Sequence, residues 1–84
     1  MIGLLVTIEL LSKNNCVQCN ATVRSLNKAN ATYSKFDMSQ DVEYLDIALG
    51  LGYNQAPVVL IKDSEGNITD SWSGFNPEKI AEYV

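Results

Sequence analysis

Eighty-four residues can enclose one modest hydrophobic core but not two, so a single domain spanning 1–84 is expected. Six lysines and arginines face ten aspartates and glutamates, a net charge of −4 with no basic cluster to follow a phosphate backbone, so nucleic acid is not an expected partner. The absence of histidine excludes a cysteine-histidine hydrolase, and only two cysteines argue against a disulfide-rich secreted framework, which makes a reducing, cytoplasmic setting the expectation.

The apolar run from Ile2 to Ile8 is broken by Gly3 and Thr7, has no basic residues before it, and falls far short of the ~20 residues of a membrane span. No membrane partner is expected. Leu4 to Leu10 reads instead as a first strand. From Cys16 the rhythm changes: Cys19, Val23 and Leu26 recur at i, i+4 and i+7, with Asn20, Arg24, Asn27 and Lys28 off that stripe. This predicts an amphipathic helix ending near Asn30. Thr32 to Asp37 is a second strand by its Thr, Tyr and Phe content, and alternation puts Tyr33 and Phe36 on opposite faces. Asp37 suits an Asx turn before Ser39 better than a proton-accepting role.

Ser39 is the expected N-cap of a second helix, with Asp41 and Glu43 in its first turn, Val42, Leu45 and Leu49 as its apolar face, and Gly50 or Gly52 as its end. Residues 57–62, PVVLIK, have the length and continuity of a buried strand, and the turn sequence DSEGN leads into ITDSWS, which predicts a hairpin. The Ala56-Pro57 bond opens that strand. A trans bond is the ordinary expectation, whereas a cis bond would leave the Ala56 carbonyl and N–H for an extended peptide. Asn76 and Pro77 supply an N-cap and an N1 proline for a last short helix, with Ile80 and Tyr83 or Val84 as its apolar face. The order β-α-β-α-β-β-α implies a four-stranded mixed sheet with helices on both faces, and a CxxC beside a βαβ unit is the signature of the thioredoxin-like class.

Three roles compete for Cys16 and Cys19. A structural staple would close only four residues, for a chain-entropy gain of roughly 2 kcal/mol at best. A tetrahedral metal site needs four ligands, and this chain offers two cysteines and no histidine, so no metal is expected. A reversible dithiol accounts for position as well as number. A helix starting near Cys16 would lower its thiol pKa through unpaired N–H groups and the helix dipole, while Asn14 and Asn15 would keep it at the surface and Lys13 either adds positive potential or is an ordinary solvated lysine. Cys16 would be the nucleophile. Cys19, one turn further in on the buried stripe, would resolve the mixed disulfide.

CVQC at 16–19, GYNQAPVV at 52–59 and WSGFNPEKI at 72–80 together resemble the NrdH-redoxins, small glutaredoxin-like proteins of the thioredoxin superfamily. The resemblance covers nearly the whole chain. It implies a thioredoxin fold with a cis bond at Pro57, electrons taken from NADPH through thioredoxin reductase, and delivery to class Ib ribonucleotide reductase. It further implies that Val17 and Gln18 shape the motif, that Ala56 and Pro57 meet the partner, and that Trp72, Ser73, Gly74 and Phe75 flank the site in a docking region, core packing being the alternative for Trp72 and Phe75. The chain departs from the common pattern at Asn76, where these redoxins often carry a basic residue, and its SEGNITDS hairpin is longer than usual. Glutathione-using relatives carry a Gly-Gly-x-Asp segment; Ser73-Gly74-Phe75-Asn76 lacks that carboxylate, so weak glutathione binding is expected. The expected protein is a monomeric oxidoreductase with no bound cofactor. The alternatives are a glutathione-dependent glutaredoxin, a general disulfide reductase, and a thioredoxin-fold binding module that delivers no electrons.

Overall fold

A computed structural model describes residues 6–84 of the chain. The elements follow the order β1 (Thr7–Ser12), α1 (Val17–Lys28), β2 (Tyr33–Asp37), α2 (Val42–Gly50), β3 (Val58–Lys62), β4 (Ile68–Ser73) and α3 (Pro77–Ala81). Leu4 and Leu5 of the expected first strand lie outside the described residues, and β1 continues two residues beyond Leu10. The strands form one mixed sheet in the order β2-β1-β3-β4, with β1 and β2 parallel and β3 antiparallel to both β1 and β4. This is the thioredoxin-like fold that the element order predicts.

Because strand side chains alternate, the two central strands feed two cores. On one face Ile8, Leu10, Val59, Ile61 and Trp72 pack with Leu26 of α1 and Ile80 of α3. On the other, Leu11, Val58 and Leu60 pack with Met38 and with Ala48 of α2. Each fully buried Leu, Ile or Val contributes about 1.5–3 kcal/mol, so β1 and β3 anchor the molecule. Tyr33 and Phe36 fall on opposite faces, as alternation requires.

Helix α1 buries Cys19 and Leu26 with Val23 half-buried, and the stripe gains Thr22, whose hydroxyl donates to the Gln18 carbonyl at 2.9 Å and so enters the core satisfied. The helix stops at Lys28, where Asn30 takes φ 58° and Ala31 N–H closes back on the Leu26 carbonyl. Helix α2 departs from expectation twice. Its N-cap is Asp41, which accepts the Tyr44 N–H, while Ser39 is held by an Asx turn whose Asp37 carboxylate accepts both its N–H and its hydroxyl. Its inner face carries Ala48 with Tyr44, Leu45 and Ile47; Val42 is 69% exposed and Leu49 51%. Tertiary contacts set this rotation: the Tyr44 ring stacks on Phe36 at 4.1 Å and its hydroxyl donates to Glu9 in β1. Helix α3 begins as its sequence implies, with the Asn76 side chain accepting the Lys79 N–H and Pro77 at N1.

Candidate active site

The site forms where the chain leaves β1. Asn15 takes φ 57°, a left-handed turn that asparagine tolerates, and delivers Cys16 to the N-cap of α1. Cys16 and Cys19 are joined as a disulfide, and Cys16 Sγ accepts the Cys19 N–H at 3.1 Å. Capping here is done by sulfur. The loop does not keep Cys16 at the surface as expected: it is 8% exposed and Cys19 2%, because Cys16 caps α1 with its sulfur turned onto the first helical turn. Cys16 is still the more open of the two. Asp37 is engaged by Ser39, whose hydroxyl and N–H hold its carboxyl below the usual carboxylate range, which suits an anchored turn and not a proton acceptor.

Two segments distant in sequence, 55–57 and 73–75, join each other and the dithiol motif. The Ala56-Pro57 peptide is cis, as the resemblance implies and against the ordinary expectation for an X-Pro bond, and Pro57 is fully buried. Its carbonyl accepts the Gly74 N–H at 2.8 Å, the Ser73 hydroxyl donates to the Gln55 carbonyl, and the Phe75 N–H donates to Gln18 Oε1 at 2.9 Å. Gln18, Pro57, Ser73, Gly74 and Phe75 therefore come together. Val17 and Phe75, both exposed and apolar, sit on the two segments that the Gln18 bond joins. Lys13 and Ala56 line a groove of about 240 Å³ with Met38, Ser39, Leu45 and Asn54, none of which the sequence placed beside the cysteines. Only the sheet order reveals that neighbourhood.

Trp72 does not belong to this set. It is 7% exposed in the core under α1 and α3, stacks against Tyr83, and leaves little surface for a partner. Strand alternation turns it inward while Ser73 turns out. Sequence reasoning also missed Glu9, whose Oε1 pairs with Lys62 at 2.9 Å and whose Oε2 accepts the Tyr44 hydroxyl. A single acid inside an apolar strand was the available signal. Among the described residues no group of three or more His, Cys, Asp or Glu side chains is placed to hold a metal ion, and no helix is long and apolar enough to cross a membrane.

Residues 8–65 match the glutaredoxin family. Over 75 residues the chain is 32% identical to the glutaredoxin-like protein NrdH of Salmonella typhimurium, an overlap covering 89% of this chain and 85% of that one. The NrdH of Lactococcus lactis subsp. cremoris is 26% identical over 74 residues, 88% of this chain and 94% of the other. Among solved structures, the glutaredoxin-like protein NrdH-redoxin from Escherichia coli, described by its thioredoxin-like activity profile, superposes with a TM-score of 0.80 at 28% identity, over 93% of this chain and 95% of that one.

Proposed function

The chain belongs to the glutaredoxin family, in its NrdH branch, and is a thiol-disulfide oxidoreductase with a redox-active Cys16–Cys19 pair; on that premise we propose that it carries electrons from NADPH and thioredoxin reductase to class Ib ribonucleotide reductase, as a cytoplasmic monomer. Cys16 is the attacking sulfur in this reading. The observation that carries it is the capping geometry: Cys16 Sγ already accepts the Cys19 N–H at the start of α1, and the same N–H and helix dipole favour a thiolate there.

The cycle balances without a bound cofactor. The Cys16 thiolate attacks a partner disulfide, one partner sulfur leaves as thiolate, and a mixed disulfide forms. Cys19 then loses its proton and attacks Cys16 Sγ, which releases the second partner sulfur and closes Cys16–Cys19. Two electrons have passed to the partner, and the reductase restores both thiols. Val17, Gln18, Ala56 and the Ser73–Phe75 turn form the rim that meets the partner, with Pro57 buried beneath it and Lys13 at its edge.

Glutathione is a poor donor in this reading. The Asn76 side-chain oxygen is committed to the Lys79 N–H, and a carboxamide has no charge with which to pair the tripeptide's amino group. The test is NADPH oxidation with an oxidised protein disulfide, run in parallel with thioredoxin reductase and with glutathione plus glutathione reductase. Turnover confined to the thioredoxin reductase arm is expected. Turnover confined to the glutathione arm would replace this reading with a glutathione-dependent glutaredoxin, and silence in both would point to a binding module.

A further inference from the structure

Among the described residues, the Gln18 side chain is the one polar side chain that hydrogen-bonds between the dithiol helix and the β4–α3 turn. Its Oε1 accepts the Phe75 N–H at 2.9 Å, across 57 positions of sequence. Since the backbone contributes an N–H, the atom facing it must be the oxygen, and the amide cannot be flipped without losing the bond. The orientation of Nε2 is thereby set. That nitrogen makes no hydrogen bond within the described residues, and Gln18 is exposed, between two nearly buried cysteines. Gly74 reports the closeness of the fit, because a Cβ there would stand 3.1 Å from Gln18 Oε1.

We propose that Gln18 determines specificity for peptide disulfides: its oxygen is held by Phe75, and its Nε2 donates a hydrogen bond to a backbone carbonyl beside the partner's reacting cysteine. The amide is fixed before the partner arrives, so little ordering entropy is lost when the bond forms. A disulfide without peptide groups has nothing to offer it. The proposal rests on thiol-disulfide exchange by the Cys16–Cys19 pair and not on which protein donates or accepts the electrons.

Two variants separate the halves of the amide. Gln18→Met keeps the length and removes both acceptor and donor; Gln18→Glu keeps an oxygen for Phe75 and removes the donor. Prereduced wild type and variants are oxidised by insulin, whose disulfides are flanked by carbonyls, and by the neutral hydroxyethyl disulfide, which has none. High ionic strength screens the charge of the glutamate. Amide hydrogen exchange at Phe75 reads the clamp separately. The ratio of the two second-order rate constants, insulin over hydroxyethyl disulfide, should fall about five- to tenfold in both variants, the worth of one hydrogen bond. The fall should lie in the half-saturating insulin concentration, and Phe75 should lose protection only in Gln18→Met. A wild-type ratio in Gln18→Glu would overturn the donor role, and equal Phe75 protection in all three proteins would overturn the clamp. Failure of wild type to use thioredoxin reductase would instead count against the proposed electron path and leave these ratios readable.

Discussion

Replacing Gly74 with alanine perturbs the turn over the dithiol at two points that can be added up beforehand. Gly74 has φ 87°, a region that costs an L-residue about 1–2 kcal/mol. The new Cβ would also lie 3.1 Å from Gln18 Oε1, close enough to push the amide off the Phe75 N–H and forfeit a hydrogen bond worth about 1 kcal/mol. The sum is about 2–3 kcal/mol. For a domain of this size each kcal/mol moves the midpoint by about 4–8 °C, so thermal unfolding of the oxidised protein should drop by roughly 10–20 °C. The double variant with Gln18→Ala isolates the second contribution. With the amide already gone, alanine at 74 should cost only its backbone strain, and the cycle should show a coupling of about 1 kcal/mol. Additivity to within a few tenths would mean that the 3.1 Å contact is relieved without disturbing the bond, and a total loss under about 1 kcal/mol would refute the strain estimate as well.

Four other outcomes follow from named contacts. Cys16→Ser should abolish turnover, whereas Cys19→Ser should accumulate mixed disulfides visible by intact mass; activity surviving in Cys16→Ser would reverse the assignment of the attacking sulfur. Asp70 accepts from Lys79 Nζ and from the Tyr83 hydroxyl, both at 2.6 Å, and these bonds hold its carboxyl below the usual range. The stability it adds is therefore present above ~4, the ordinary carboxylate value, and is lost as pH falls through its lower folded value. Asp70→Asn should cost about 1–2 kcal/mol at neutral pH and flatten the acid limb of the stability profile measured by urea unfolding. Lys62→Met strands the Glu9 carboxylate in the sheet and should cost about 2–3 kcal/mol, more than Glu9→Gln, which still accepts from Tyr44 and leaves Lys62 able to reach water; the reverse order in chemical denaturation would contradict this. Asn76→Asp keeps the cap of α3 and adds the missing carboxylate, so glutathione-supported turnover should rise severalfold; an unchanged glutathione arm would show that the charge at 76 is not what excludes the tripeptide.

What the sequence made legible tracks how local its cause is. The bounds of β4 and the start of α3 were readable because ITDSWS and Asn76-Pro77 carry their own turn and cap chemistry. The Asp37 turn was readable for the same reason. It also explains the one misplaced cap: once Ser39 is drawn to Asp37, the N-terminus of α2 passes to Asp41. The face of α2 was misread because Val42, Leu45 and Leu49 form as good an apolar stripe as the true one. The choice is made by Phe36 and Glu9, which grip Tyr44 from other strands. The inward turn of Trp72, left open between docking and core, likewise depends on packing that no short stretch of sequence displays, whereas the cis bond at Pro57 was legible only through the family resemblance.

The same division runs through the active site. Everything the dithiol needs for exchange lies within one helical turn: an asparagine in a left-handed turn, a cysteine at the N-cap, an N–H aimed at its sulfur, and a second cysteine facing inward. In the proposed reading, partner choice depends on contacts that only the fold creates. Gln18 meets Phe75, Gly74 meets Pro57, and Asn76 is committed to Lys79, each across a different pair of elements or at a helix start remote from the cysteines in sequence. If so, a change at Gln18, Gly74 or Asn76 should redirect the protein among disulfide partners without altering how its sulfurs exchange. On that reading the reductant is chosen by the turn over the motif and not by the CxxC itself.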